Sequence, residues 1–200
     1  MNLVLTAHGI RTYGTWQKMA SEVLALHGFQ PRNFDYGRYP VHRLLRPACN
    51  EAMVGDFANF YHREVQEARL RSGSAIAPGR PTVVAPRLGC FIVAMAMLKY
   101  PSIQFDKVVL AGSILPRDFS WSMLVMRDQV NSVRNDFSLR DPWPFVAKWS
   151  VRGAGDSGRG GFSDSWSGLR QTAYAIKHSD LLRRIHFEDQ WIPFLKAESA

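Results

Sequence analysis

Residues 82 to 98, TVVAPRLGCFIVAMAML, constrain the fold more than any other stretch of the chain. TVVA is a short continuous apolar run, the pattern of a strand buried on both faces. From Gly89 to Leu98 apolar residues fill every position, as in a helix that is packed all round. The chain must therefore turn sharply between the two, and Ala85 and Gly89 put small residues on either side of that turn, where strand and helix approach closely. A buried strand that runs through a tight turn into a buried helix is a unit of a parallel sheet covered by helices. Two residues of the turn are out of keeping with it. Pro86 forfeits a backbone donor, and Arg87 sets a permanent cation at the apex.

The rest of the chain repeats this alternation of short apolar runs and longer helical patterns. NLVLTA (2 to 7) is a buried strand ending at His8-Gly9, and a helix follows from about Thr15 to His27, with Trp16, Met19, Val23 and Leu26 at helical spacing and Gly28 as its stop. RNFDYGRY is a second strand turned by Gly37 and Pro40. Between Asn50 and Leu70, Met53, Phe57, Phe60, Tyr61, Val65 and Ala68 share one face of a long amphipathic helix. KVVLAGS (107 to 113) and DQVNSVRNDFS (128 to 138) are further strands, and DPWPFVAKW enters a short helix with Pro142 near its first turn. The Gly- and Ser-rich run 153 to 168 reads as an exposed mobile loop beside the site. After it LRQTAYAI is the last strand and DLLRRIHFEDQWIPFL a last helix, capped by Asp180. The expectation is a single domain over residues 1–200, a three-layer α/β/α sandwich around a mostly parallel sheet of about six strands.

Composition narrows the function classes. With 200 residues and 46% hydrophobic content the chain can bury one substantial core. The net charge of +8 comes from arginines scattered between Arg11 and Arg184, with no basic stripe and no interleaved aromatics, so nucleic acid is not the expected partner. Cys49 and Cys90 form no disulfide framework and no Cys/His spacing fits a metal, so neither cofactor nor metal is expected. No stretch supplies a membrane span and no secretory leader is evident, which makes a cytoplasmic location the default.

In an open parallel sheet, chemistry sits just beyond the carboxyl ends of the strands. Four such ends carry informative residues: His8-Gly9, Arg87, Asp141 and His178. With these, the segments HGIRTYGTW, GSILPRDFSW, RDPWP and HSD…WIPFL resemble a group of small serine hydrolases in the α/β-hydrolase superfamily, and the resemblance covers nearly the whole chain. The chain order of turn, acid and histidine is the order of that superfamily. Its members carry AHSLG at the nucleophile elbow, where this chain has APRLG.

The resemblance implies a role for each residue. Position 87 is the nucleophile position; Asp141 orients a histidine, with Asp136 the competing acid; His178 is the general base, with His186 its rival inside the last helix. The N–H groups of Ile10 and Leu88 form the oxyanion hole, and His8, Gly9 and Arg11 line the substrate side. Trp16, Trp121 and Trp143 are packing residues, the last two on loops able to wall a pocket.

A guanidinium stays protonated and has no accessible lone pair, so Arg87 cannot attack an acyl carbon. Cys90, one helical turn on, faces the packed interior, and Ser113 belongs to another strand end. The implied function is a serine esterase or lipase by ancestry that is inactive with this elbow. The alternative is a pseudoenzyme that uses the vacated pocket for binding or assembly, with Arg87 drawing an anionic ligand or pairing with Asp141. A small acyl or ester-type ligand and a protein partner are both compatible with it. One paired event accounts for both unusual residues: inserting a C and deleting an A turns GCC CAC AGC CTG (Ala-His-Ser-Leu) into GCC CCA CGC CTG (Ala-Pro-Arg-Leu).

Overall fold

The computed structural model describes residues 2–8, 15–35, 47–73, 79–139, 153–176 and 178–198. Six strands make one sheet: β1 (Leu3–Ala7), β2 (Gln30–Phe34), β3 (Thr82–Pro86), β4 (Phe105–Ala111), β5 (Val130–Ser138) and β6 (Leu169–Tyr174). Their order is β2-β1-β3-β4-β5-β6, and every neighbouring pair is parallel. Side chains alternate between the two faces with the period of two that a strand dictates. Leu3, Leu5, Val83, Ala85, Val108 and Leu110 enter one core, while Val4, Val84, Val109 and Ala111 enter the other.

Helices cover both faces. The first core is closed by α2 (Pro47–Ser72), α3 (Leu88–Lys99) and α4 (Trp121–Met126), which contribute Met53, Phe57, Cys90, Ile92, Trp121 and Leu124. The second is closed by α1 (Thr15–Leu26), through Trp16, Ala20, Val23 and Leu24, and by the C-terminal segment, through Phe187, Trp191, Ile192 and Leu195. The three-layer α/β/α expectation is thus met, with a sheet that is wholly parallel. Since β1 connects to β2 on one side and β2 returns past it to β3, right-handed crossovers send α1 to one face and α2 and α3 to the other.

Helix α1 ends at Gly28, the stop that its sequence predicts. Gly28 has φ 82°, its N–H donates to Ala25 O, and Phe29 N–H reaches back to Leu24 O, closing the last turn through a left-handed residue. Pro86 sits in β3 without breaking a ladder. The amide of Arg87 points to β4, donating to Ala111 O at 2.9 Å, so the position of the missing Pro86 N–H faces β1, where pairing has already ended at Val84 and Thr6.

Two expectations need correction. The Gly- and Ser-rich run is not an exposed loop along its length: it contains α5 (Ser157–Gly160) and packs on the chain that leaves β4. Gly155 and Gly158 donate to Ile114 O and Ser113 O, both at 2.7 Å, Ser157 is fully buried, and Arg117 Nη2 donates to Gly160 O at 2.6 Å. A Cβ at Gly158 would stand 2.4 Å from Ser113 O, and one at Gly155 2.4 Å from Pro116 Cα. These glycines permit close backbone contact.

The last helix is also not one helix. A 3₁₀ turn (His178–Leu182) leads into α6 (Arg184–His186), a π-wound turn (Phe187–Trp191) and α7 (Ile192–Lys196). Asp180 lies inside the 3₁₀ turn, where it pairs with Arg183 at 2.9 Å. Buried Lys107, at the opposite end of the sheet from Arg87, donates to Leu195 O at 3.0 Å and to Ala197 O, and so ties down the end of α7. The segment DPWPFVAKW and its helix fall outside the described residues.

Candidate functional site

The strand order reverses direction between β1 and β3, and a crevice beyond the carboxyl ends of two strands at such a reversal is where open α/β sheets bind ligands. Here the end of β1 touches the first turn of α3. Gly89, in the first turn of α3, comes so close to β1 that a Cβ on it would lie 2.2 Å from Ala7 O and 3.3 Å from His8 O. That contact is the physical reason for a small residue at this point. Between β3 and α3 stands Arg87, with φ 57° and ψ −120°. Positive φ is rare outside glycine, and a bulky residue holds such a conformation only where its surroundings impose it. The imposing contacts are the Gly89 approach to β1 on one side and the Arg87 N–H to Ala111 O bond on the other.

Two of the residues singled out in the sequence, Leu88 and His8, lie beside this turn. Leu88 is the first residue of α3, so its N–H belongs to a turn whose donors have no intrahelical acceptor. His8, directly after β1, is buried, and its Nε2 lies 3.4 Å from Asp35 Oδ1 at the end of β2. A groove of about 540 Å³ opens beside Asp35, lined by Asn33, Phe34, Asp56, Asn59, Phe60 and Arg63. His178 opens the 3₁₀ turn after β6, as its placement after the last strand requires; the role expected of its side chain lies outside the described residues. So do Gly9, Ile10, Arg11, Asp141 and Trp143, and with them the expected pairing of Arg87 with Asp141.

Cys90 and Ser113 are both closed off from solvent. Cys90 is fully buried with its Sγ 2.7 Å from Ala85 O, and burial pushes its thiol up to about 12, leaving no thiolate at neutral pH. Ser113 is equally buried, its hydroxyl accepting from Leu115 N–H and bonded to Ser157 Oγ at 3.0 Å. Trp16 and Trp121 are core residues, the latter packed with Phe119 and Phe162. Among the described residues no group of three or more His, Cys, Asp or Glu side chains could hold a metal ion.

The two rivals, Asp136 and His186, are found together. His186 Nε2 is 2.9 Å from Asp136 Oδ2, Trp191 Nε1 donates to the same oxygen at 2.8 Å, and Arg134 Nε donates to Oδ1 at 2.9 Å. All of this lies in the layer beneath α1 and the C-terminal helices, with Asp136 fully buried. Burial, and then the Asp136 charge, raise the Tyr174 phenol above its ordinary range. Sequence periodicity puts His186 inside an ordinary helix and gives no hint of a partner fifty positions away.

No family model matches the sequence, and no curated protein matches it. By structure the chain is similar to a protein from Xanthomonas campestris pv. campestris assigned to the α/β hydrolase superfamily, at 16% identity over 97% of this chain and 98% of that one, with a TM-score of 0.54. It is also similar to the Francisella virulence factor BioJ (10% identity, 96% and 76% covered, TM-score 0.59) and to an esterase from Exiguobacterium antarcticum (10%, 98% and 92%, 0.56). The sheet order, the helices on both faces and these likenesses give the chain the α/β-hydrolase fold. No helix among the described residues is long and apolar enough to cross a membrane.

Proposed function

We propose that this chain descends from a serine hydrolase of esterase type and, with Arg87 in place of the nucleophile, binds a ligand at the ends of β1 and β3 without turning it over. The observation that carries the proposal is the conformation of Arg87, φ 57° and ψ −120°, at the turn between β3 and α3. Strain of this kind belongs to a residue that a fold presents for chemistry. Gly89 pressed against β1 and the esterase among the structural neighbours support the same ancestry.

In the parent reaction a serine Oγ at position 87 would attack the acyl carbon while its proton passes to His178, held by Asp141. The N–H groups of Ile10 and Leu88 would take the negative charge on the carbonyl oxygen. Collapse would return the proton to the departing alkoxide, and water would release the acid by the same route. Arg87 has no lone pair for the first step, so the sequence of bonds never starts. What is left is a cation beside the first turn of α3, an arrangement suited to a small acyl ligand bearing a carboxylate.

A fluorophosphonate probe tests this. The chain should not react, and the double variant Pro86→His, Arg87→Ser should label at the introduced serine, with most of that labelling lost when His178 is also replaced. Stoichiometric labelling of the unmodified chain would overturn the proposal, and a folded double variant that stays silent would remove the hydrolase ancestry from it.

A further inference from the structure

We infer that Asp136 is a positioning residue: through His186 and Trp191 it fixes the C-terminal helical segment so that the turn beginning at His178 sits over the end of β5. The inference rests on the proposed function only for what His178 faces; the placement itself stands on geometry.

Asp136 is fully buried on β5, and a buried carboxylate requires donors. It has three, and two of them, His186 and Trp191, converge on one oxygen. In an α-helix residues five apart point roughly 140° away from each other, since 3.6 residues complete a turn. The π winding from Phe187 to Trp191, with bonds from i to i+5, brings Trp191 back over His186 so that both reach Oδ2. The rare turn and the shared acceptor thus explain one another.

A second ring ties the cluster to the strand before the turn. Arg134 Nη2 donates to Tyr174 OH at 3.0 Å and to Gln190 Oε1 at 3.1 Å, and the Tyr174 ring stands edge-on to His186 at 4.8 Å. Tyr174 ends β6. Just beyond it, Ser138 Oγ donates to Ile176 O at 2.5 Å and Leu139 N–H to Tyr174 O at 3.2 Å. The connection carrying His178 is therefore held at its start by the end of β5 and at its finish by Asp136. Asp136 is also level with the apex. It is in register with Ala111, and Ala111 with Pro86, which puts it two strand spacings, roughly 10 Å, across the sheet.

Amide exchange on the unmodified chain and on Asp136→Asn, His186→Gln, His186→Phe and Trp191→Phe tests the placement. In Asp136→Asn, peptides covering 176–186 should exchange at least tenfold faster while β3 and β4 keep their protection. His186→Gln, which keeps an N–H donor, should stay nearer to the unmodified chain than His186→Phe. Should Asp136→Asn not fold, Trp191→Phe must show the same local pattern. In the Pro86→His, Arg87→Ser background, Asp136→Asn should lower the maximal fluorophosphonate labelling rate about tenfold with half-saturation unchanged. Exchange that rises evenly over the sheet, or that does not rise at 176–186, overturns the inference. Local exchange with no labelling in the double variant sustains the placement and refutes the hydrolase ancestry instead.

Discussion

Replacing Arg87 by glycine and, separately, by alanine isolates the strain in the apex. At φ 57° and ψ −120° a residue with a Cβ carries on the order of 1–3 kcal/mol of backbone strain, which glycine avoids. Glycine also gives the unfolded chain more freedom, a loss of roughly 0.5–1 kcal/mol relative to alanine. The difference leaves Arg87→Gly more stable than Arg87→Ala by about 0.5–2 kcal/mol, the reverse of the ordinary ranking. For a chain of this size that corresponds to a melting temperature higher by roughly 1–8 °C. Urea and thermal unfolding of the two variants, followed by circular dichroism, measure it, and the alanine variant controls for the lost guanidinium. If Arg87→Ala is as stable as Arg87→Gly, the apex is not strained and the argument from conformation to ancestry fails.

Gly89→Ala should destabilise by about 2 kcal/mol or more, because the new methyl would meet the Ala7 carbonyl oxygen at 2.2 Å and only backbone movement can relieve it; a urea midpoint unchanged from the parent would contradict the close contact. Cys90 should resist iodoacetamide at pH 8 in the native chain, as read by peptide mapping. Its folded pKa of about 12 lies above the ordinary thiol value of 9.0, so the unfolded chain releases the proton first, and this group's share of stability, complete below pH 9, is lost as pH rises towards 12. Unfolding midpoints that hold steady over that alkaline range would count against the assignment.

The sheet was legible because β1, β3 and β4 are buried on both faces and so carry the short apolar runs LVL, VVA and VVLA, the first two followed by helical segments. The apex was legible as an anomaly, a cation in a turn that otherwise demands small residues. Two features were not. Glycine and serine at 153–168 suggest mobility because composition cannot distinguish a glycine that frees the chain from one that admits a neighbouring backbone, as Gly155 and Gly158 do. The Asp136–His186–Trp191 cluster depends on a strand pairing with a segment fifty residues later and on a π turn, and neither leaves a period in the sequence.

The contact between Gly89 and the end of β1 bears on how such a chain can change over generations. The path of the backbone through position 87 is dictated by that contact and by the bond to Ala111 O, both of which involve main-chain atoms and persist whatever side chain is present. Position 87 is therefore a socket: a newcomer is held up to the same crevice in the same attitude as its predecessor. If position 87 once held a nucleophile, as proposed, its loss would leave the mounting intact, so that regaining it, or adopting a different reactive group, would take codon changes and no refolding of the scaffold.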